Sequence, residues 1–449
     1  MQLIKRSTLN FNFQTVFSVI FLALVLLASD DVLADLNELA DHAVFGPGDN
    51  KEGYESADYR TNSLDLEKRL GKEANLIDFV NNPPLGLPPV PIPEDNPMTI
   101  KKIKLGRKMF FDRRLSINDT FSCAICHIPE QGFTNNEIQT AVGVEGRTVK
   151  RNSPTIYNSA YLEKIFHDGR ESTLEQQVWS PLLARNEMAN PSIGYVINKL
   201  RAIREYDGLF EGAFQGRGPT METIGMAFAN YQRTLNAADS PFDRWYYGKD
   251  EDAVSEQVKR GFEVFMGKGG CSACHVLNKK YALFSDNLLH NTGVGFQESM
   301  GIEPKTRRVQ LAPGVYTHLD TSVIKSVSRP KENDLGLYEV TENPNDRWKY
   351  RTPSLRNVSL TAPYMHNGSL LTLHDVMVFY NDGGVPNELL SPLIRPLNLT
   401  DTEIDELVSF LESLTGNNVN VLVKDAFAAP IGDISPDDPN WAHENQLKF

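Results

Sequence analysis

A cysteine pair followed directly by a histidine occurs twice in this chain. The motifs read CAICH at 123–127 and CSACH at 271–275, and the sequence has no cysteine outside them. Two thiols about one helical turn apart match the two thioether bonds that attach a c-type haem, and the adjacent histidine can then ligate the iron. Zinc binding or thioredoxin-like chemistry would not require a histidine after each pair. The sequence therefore predicts two covalent haems, held by Cys123, Cys126, His127 and by Cys271, Cys274, His275.

An amphipathic helical pattern precedes each motif. Apolar residues recur at helical spacing in 103–110 and in 254–265, and glycines break the second pattern just before Cys271. The chain therefore contains a weak internal repeat of helix, break and motif, with room for one domain around each haem. The sequence predicts a mainly α-helical fold with long loops that wrap around the haems.

The rest of the chain divides into segments by composition. Residues 35–98 form a polar N-terminal extension that ends in a proline-rich connector, which cannot be helical. We expect a first haem domain at 99–240 and a second haem domain at 241–424. Residues 425–449 are expected to form an irregular C-terminal tail.

Two later helices carry N-terminal signals. Thr220 is a predicted N-cap, and Thr400 with Glu403 is a predicted capping box. The helix after Thr400 has an apolar stripe from Ile404 to Leu414. We expect this stripe to pack on the N-terminal helix of the second haem domain.

The N-terminus has the pattern of an export signal. Basic residues at 5–6 precede an apolar run at 16–28, with a plausible cleavage site after Ala34. The run is short for a bilayer span, so we expect 1–34 to be a cleaved signal peptide. An uncleaved anchor is the alternative, because two aspartates at 30–31 are unusual so near a cleavage site. Either way, the body of the protein is expected in the periplasm, with no stable membrane span after cleavage.

The overall charge excludes one class of partner. A net charge of −13 argues against nucleic-acid binding, which selects for a basic surface. The 41% hydrophobic and 23% charged content is that of an ordinary soluble globular protein. An acidic surface is compatible with electrostatic pairing to a basic protein.

Two longer stretches carry a family resemblance. Residues 151–188 (RNSPTIYNSAYLEKIFHDGRESTLEQQVWSPLLARNEM) and 350–384 (YRTPSLRNVSLTAPYMHNGSLLTLHDVMVFYNDGG) resemble bacterial di-haem cytochrome c peroxidases and their MauG-type relatives. The resemblance runs from about residue 85 to 417 and includes both motifs in order. It implies two cytochrome c-like haem domains in a periplasmic protein, with a calcium ion between the haems.

The same resemblance implies catalytic residues at the first haem. A peroxidatic haem needs an open sixth position and a distal acid–base group. No histidine lies between His127 and His167, so the residue that blocks this position in many peroxidases is missing. The family's distal glutamate matches Glu187, and its pocket glutamine matches Gln177.

One position departs from the family. The relatives place a tryptophan between the haems, whereas this chain has His167 there. A histidine is harder to oxidise than an indole, so electron hopping between the haems is in doubt. His167 is therefore interpreted as a propionate hydrogen-bond donor, a distal base or a structural buried histidine.

The segment LHDVMVFYNDGG (373–384) offers the second haem three possible ligands. In the peroxidases a methionine stands fourteen residues after the histidine that corresponds to His366, and this chain has Tyr380 there, as MauG-type enzymes do. Met377 and His374 lie nearby but out of register. We therefore predict Tyr380 as the sixth ligand of the second haem. By the same matching, oxygen atoms of Asn152, Thr361 and Pro363 are predicted calcium ligands.

Three functions follow from these residues. The first is a MauG-like oxidase that uses hydrogen peroxide to oxidise a protein substrate, favoured by Tyr380. The second is a peroxide-detoxifying cytochrome c peroxidase, whose donor would be a small cytochrome or cupredoxin. The third, a non-enzymatic di-haem electron carrier, is disfavoured by the open position and by Glu187.

Overall fold

The computed structural model describes residues 71–303, 305–312, 315–327 and 333–429. The predicted signal peptide and the last part of the predicted tail lie outside these residues. The fold is mainly helical, as the sequence predicts. The helices are α1 (Asp78–Asn81), α2 (Ile100–Phe111), α3 (Cys123–Cys126), α4 (Leu174–Gln177), α5 (Trp179–Leu183), α6 (Ile193–Ala202), α7 (Leu209–Ala213), α8 (Met221–Gln232), α9 (Pro241–Tyr246), α10 (Glu256–Met266), α11 (Val294–Ser299), α12 (Thr321–Val327), α13 (Tyr338–Thr341), α14 (Leu373–Asn381), α15 (Asp401–Glu412) and α16 (Val419–Phe427).

The strands are few and short. β1 (Leu289–His290) pairs antiparallel with β4 (Tyr350–Arg351), and β2 (Thr306–Ala312) forms an antiparallel hairpin with β3 (Val315–Asp320). The registers are Leu289 opposite Arg351 and Thr306 opposite Asp320. Across the described part of the chain, no helix is long and apolar enough to cross a membrane.

The first apolar core forms around the helix pair α2 and α8. Thr220 caps α8 in a capping box with Thr223, which confirms the predicted N-cap. Gly106 of α2 lies directly against the Ala227 carbonyl of α8, where a Cβ would collide with the oxygen. Glycine at this position therefore allows the close approach on which the packing of the two helices depends.

The second core repeats this arrangement with α10 and α15. Thr400 and Glu403 form the predicted capping box, and the apolar stripe of α15 packs on α10, as expected. Gly261 of α10 lies against the Glu406 carbonyl, where a Cβ would again collide. Each core thus contains a glycine contact between a helix that precedes a haem motif and a later helix.

The C-terminal end differs from the sequence expectation. Residues predicted to begin an irregular tail at 425 belong to α16, so that expectation is wrong for 425–427. The helix packs on the first core, although it follows the second in sequence. The buried carboxylate of Asp425 adds a polar contact to this packing, because it pairs with the Arg107 guanidinium of α2 at 2.7 Å.

The proline-rich connector is held by a buried ion pair. Arg356 and Asp243 are fully buried, and Nη1 of Arg356 lies 2.8 Å from Oδ2 of Asp243. The same guanidinium donates to the carbonyl oxygens of Ala282 and Gly86 at 2.6 and 2.5 Å. Removing one partner of such a pair typically costs about 3–5 kcal/mol. The contact fixes the connector to the loop that follows the second motif.

Candidate haem sites

The first motif lies on α3 and the residue that follows it. Neither cysteine forms a disulfide, so both sulfurs are available for thioether bonds, and burial raises the pKa of each unattached thiol to about 12. His127 donates from Nδ1 to the Phe133 carbonyl oxygen at 3.1 Å, and burial lowers its pKa. A neutral imidazole that donates through Nδ1 presents Nε2 as a metal ligand.

The second motif is built in the same way. Burial raises the pKa values of Cys271 and Cys274 to about 11, and His275 donates from Nδ1 to the Phe284 carbonyl oxygen at 2.8 Å. Phe133 and Phe284 both have φ of 52°, a left-handed conformation that is unusual for an aromatic residue. In each loop this conformation accompanies a carbonyl that points back to the histidine.

These residues fit a c-type haem better than zinc. Each motif supplies two free thiols and one oriented imidazole nitrogen, which is the donor set that haem attachment requires. Within the described ranges, the one grouping of three potential metal ligands is Cys274, Asp286 and His290, which omits Cys271 and His275. His290 is paired with Asp286 at 2.8 Å. Zinc ligation by a complete motif is therefore unsupported.

A cavity of about 280 Å³ adjoins the second motif. Its wall includes residues from both predicted haem domains. Those from the first predicted domain include Asn152, Tyr157 and His167, and those from the second include His275, Arg351 and Tyr380. The cavity at the second motif is therefore shared with a segment of the first predicted domain.

The cavity separates the three candidate ligands on α14. His374 is exposed and lies outside the cavity wall, whereas Met377 and Tyr380 line it. Burial raises the pKa of Tyr380 well above its usual value, and the nearby thiols of Cys274 and Cys271 add to the effect. The phenol therefore lies near both attachment cysteines. The exposure of His374 excludes it as a ligand of the second haem. Met377 and Tyr380 remain as candidate ligands, one helical turn apart.

Glu187 lies beside the first cysteine pair. Its carboxylate adds to the effect of burial in raising the pKa values of Cys126 and Cys123. Burial raises the pKa of Glu187 itself, and the positive charge of Arg170 acts in the opposite direction. The structure thus brings the predicted distal acid to the first haem motif.

Gln177 ends the short helix α4. Its side-chain oxygen accepts a hydrogen bond from Nε2 of Gln232 at 3.4 Å. The neighbouring α8 thus holds the amide. Its place in the peroxide pocket stays a prediction from the family resemblance.

The backbone around Glu187 is held by a neighbouring loop. The Val144 N–H donates to the Glu187 carbonyl oxygen at 2.9 Å. A Cβ on Gly143 would collide with the carbonyl oxygen of Asn186 and would lie 2.7 Å from Cα of Glu187. The position of Glu187 therefore depends on a glycine at 143.

Gly143→Ala should displace Glu187 without disturbing haem attachment. A displacement of about 1 Å at a catalytic group can cost up to about 10²-fold in rate, and we expect a loss approaching this in peroxide-dependent turnover. Steady-state rates and haem-to-protein ratios check it. Gly194→Ala is the matched control, because a Cβ there meets no atom closer than 3.9 Å. Equal rates for both variants would contradict the positioning role of Gly143.

His167 lies in the wall of the second cavity, whereas Glu187 lies beside the first cysteine pair. His167 donates a hydrogen bond from Nε2 to the Asn152 carbonyl oxygen at 3.0 Å. Burial and the charges of Arg151 and Arg351 lower its pKa to about 4, so the ring is neutral. This placement gives no support to a role as distal base at the first haem. It places the ring at the second haem site.

The three predicted calcium ligands line the same cavity. Asn152 donates from Nδ2 to the Gln139 carbonyl oxygen at 3.0 Å, which turns its Oδ1 in the other direction. Thr361 and Pro363 would contribute oxygen atoms, and proline has only its carbonyl to offer. Neutral oxygen ligands of this kind suit a hard cation such as Ca²⁺. Calcium binding itself stays a prediction.

A second internal repeat links the two predicted domains, and it was not among the features predicted from the sequence. Residues 152–158 (NSPTIYN) and 351–357 (RTPSLRN) match around a proline, and each is followed by a histidine in HDG or HNG. The first peptide N–H of each segment donates to the carbonyl of the histidine in the other repeat. These bonds are Asn152 N to His366 O at 2.7 Å and Arg351 N to His167 O at 2.8 Å. The paired proline and histidine spacings were the available signal.

The fold and the two motifs define a di-haem c-type protein. The family described as di-haem cytochrome c peroxidase matches residues 100–251. Cytochrome-c peroxidase IdrP1 of Denitromonas iodatirespirans is 39% identical over 337 residues, covering 74% of this chain and 86% of that protein. Methylamine utilization protein MauG of Methylorubrum extorquens is 35% identical, covering 72% and 81%.

A solved structure gives the same result. The crystal structure of a MauG-like protein associated with microbial copper homeostasis is 30% identical, with a TM-score of 0.61, covering 76% of this chain and 96% of that one. The chain belongs to the di-haem cytochrome c peroxidase and MauG family and is an oxidoreductase. Membership implies two c-type haems, in agreement with the two motifs.

Proposed function

We propose that this protein reduces hydrogen peroxide at the first haem and passes oxidising equivalents through a second haem, ligated by His275 and Tyr380, to an electron-rich residue of a partner protein. The observation that carries the proposal is Tyr380, which lines the second cavity near both attachment cysteines. A phenolate favours ferric and higher oxidation states, whereas a methionine thioether favours ferrous iron. Such a haem is suited to sharing oxidising equivalents rather than storing an electron.

Glu187 would move the proton during peroxide cleavage. The first haem, when bound, supplies the iron at which peroxide binds and its O–O bond breaks. Glu187 takes the proton from one peroxide oxygen and returns it to the leaving oxygen. Its raised pKa suits both steps, and Arg170 favours the ionised form that accepts the proton. Gln177 is assigned to orienting the peroxide in the pocket.

Two haem domains, a calcium ion and export to the periplasm complete the proposed function. Each apolar core would belong to one cytochrome c-like domain, with long loops wrapped around its haem. A calcium ion would lie between the domains on Asn152, Thr361 and Pro363. The segment 1–34 would direct export to the periplasm, where a secreted partner is accessible.

A peroxide-detoxifying cytochrome c peroxidase is the second candidate. It is favoured by the relatives, because the cytochrome-c peroxidase IdrP1 shares 39% identity with this chain and MauG shares 35%. In this function the electrons would come from a small reduced cytochrome or cupredoxin. A plain electron carrier does not agree with membership of a family of oxidoreductases.

Comparing donors tests the proposal. With peroxide in excess, we expect slow turnover of a reduced small cytochrome or cupredoxin by the purified di-haem protein. We expect faster oxidation of a secreted protein encoded beside it that exposes an oxidisable tryptophan. Stopped-flow absorbance and mass spectrometry of the partner measure the two reactions. Rapid cytochrome turnover with no partner modification would favour the detoxifying peroxidase.

A further inference from the structure

Arg351 places a buried positive charge at the second cavity. The residue is 8% exposed and lines the cavity at the end of β4. Its Nε donates to the Phe166 carbonyl oxygen at 3.3 Å, and its Nη1 donates to the Thr352 carbonyl oxygen at 3.2 Å. These bonds fix the orientation of the guanidinium, but their neutral carbonyl acceptors do not neutralise its charge.

The protein supplies no acidic partner for this charge among the residues that the structure describes. Burial alone lowers the pKa of Arg351 to about 10, and no carboxylate opposes the effect. By contrast, the neighbouring Arg151 pairs with Asp168 and Asp334 at 2.5 and 2.6 Å. A buried charge without a partner costs several kcal/mol, so such groups are normally paired. The missing anion is therefore expected from a group that occupies the cavity.

We infer that Arg351 binds a carboxylate of the second haem. A c-type haem carries two propionate groups, and a guanidinium forms strong charge-assisted bonds with a carboxylate. Arg351 also donates from its peptide N–H to the His167 carbonyl oxygen at 2.8 Å. The residue thus links the second haem site to the segment around His167. Arg351 would bind this carboxylate whether Tyr380 or Met377 ligates the iron.

This contact has a consequence for the redox equilibrium. Reduction of ferric iron adds an electron to the haem, and a nearby cation stabilises the reduced form. Loss of the guanidinium leaves the propionate charge without its partner and favours ferric iron. Arg351 therefore raises the potential of the second haem relative to a neutral residue at the same position.

Redox titration of the intact di-haem protein tests the inference. Arg351→Gln should shift the ferric–ferrous equilibrium of the second haem about tenfold or more toward ferric, which is 59 mV for a one-electron couple. The first haem should shift much less. Arg351→Lys should restore much of the wild-type value, because it keeps the charge, and it also serves if the glutamine variant folds poorly. Arg395→Gln is the control, since Arg395 lines the same cavity but is exposed to solvent.

Several results would contradict the binding of a haem carboxylate by Arg351. An unchanged second-haem potential in Arg351→Gln, or a shift equal to that of Arg395→Gln, would overturn it. Equal shifts of both haems would show a general structural effect and also overturn it. A wild-type potential that depends on added acetate would assign the partner to a diffusible anion. Repeating the titration in a Tyr380→Met background should give the same shift, which distinguishes failure here from failure of the proposed axial ligand.

Discussion

Glu187→Gln should leave both haems attached while slowing peroxide-dependent oxidation by about 10²-fold or more, a typical contribution of general acid–base catalysis. The carboxyl lies beside the first cysteine pair, and burial raises its pKa. Glutamine keeps the size of the side chain but cannot accept and return a proton. Haem content by absorbance and the rate of reaction with peroxide by stopped flow measure the effect.

The pH dependence provides a second check on Glu187. Since burial raises its pKa above the usual 4.5, the acid limb of the wild-type rate profile should lie above pH 4.5. Activity is lost as the pH falls through this pKa, because the base becomes protonated. Arg170→Met removes the cation that lowers the pKa and should move the limb to higher pH. An unchanged rate in Glu187→Gln would remove Glu187 from the mechanism.

Tyr380→Met should convert the second haem into a high-potential electron store. A thioether in place of the phenolate stabilises ferrous iron and raises the potential. The variant should gain turnover with a small reduced cytochrome and lose long-lived oxidising capacity after peroxide treatment. Spectroelectrochemical titration gives the potential, and steady-state assays with reduced cytochrome give the turnover.

Two matched variants identify the ligand. Tyr380→Phe removes the phenol oxygen and retains the ring, so it should abolish low-spin ferric character at the second haem. Met377→Leu retains an apolar side chain in the cavity wall and should leave the spectrum unchanged. The reverse pattern would assign the ligand to Met377.

Local sequence signals predicted the helices well. The caps at Thr220 and Thr400 and the packing of α15 on α10 depend on short-range patterns, and the structure confirms all three. The course of α16 was not predictable in the same way. Its position depends on the pairing of Asp425 with Arg107, which is far away in sequence and leaves no periodic signal.

In the candidate sites, too, short-range features could be predicted from the sequence, whereas contacts formed by folding could not. The motif histidines were identified from spacing, but their orientation depends on the carbonyls of Phe133 and Phe284, which only the folded loops reveal. The sequence offered three ligands on α14, and burial removed His374. For His167 the sequence left several roles open. Only the structure shows its neutral ring bonded to the Asn152 carbonyl in the second cavity.

The spin states of the fully ferric resting protein show whether Tyr380 ligates the second haem. If Tyr380 ligates the second haem, electron paramagnetic resonance should show one high-spin and one low-spin ferric haem, and redox titration should give low potentials for both. Peroxide added to this fully ferric form should change the absorbance spectrum at once, without prior half-reduction. A resting protein that already holds one high-potential ferrous haem, and reacts with peroxide only when half-reduced, would rule out Tyr380 as the ligand. Met377 would then be the ligand, and the protein a conventional cytochrome c peroxidase.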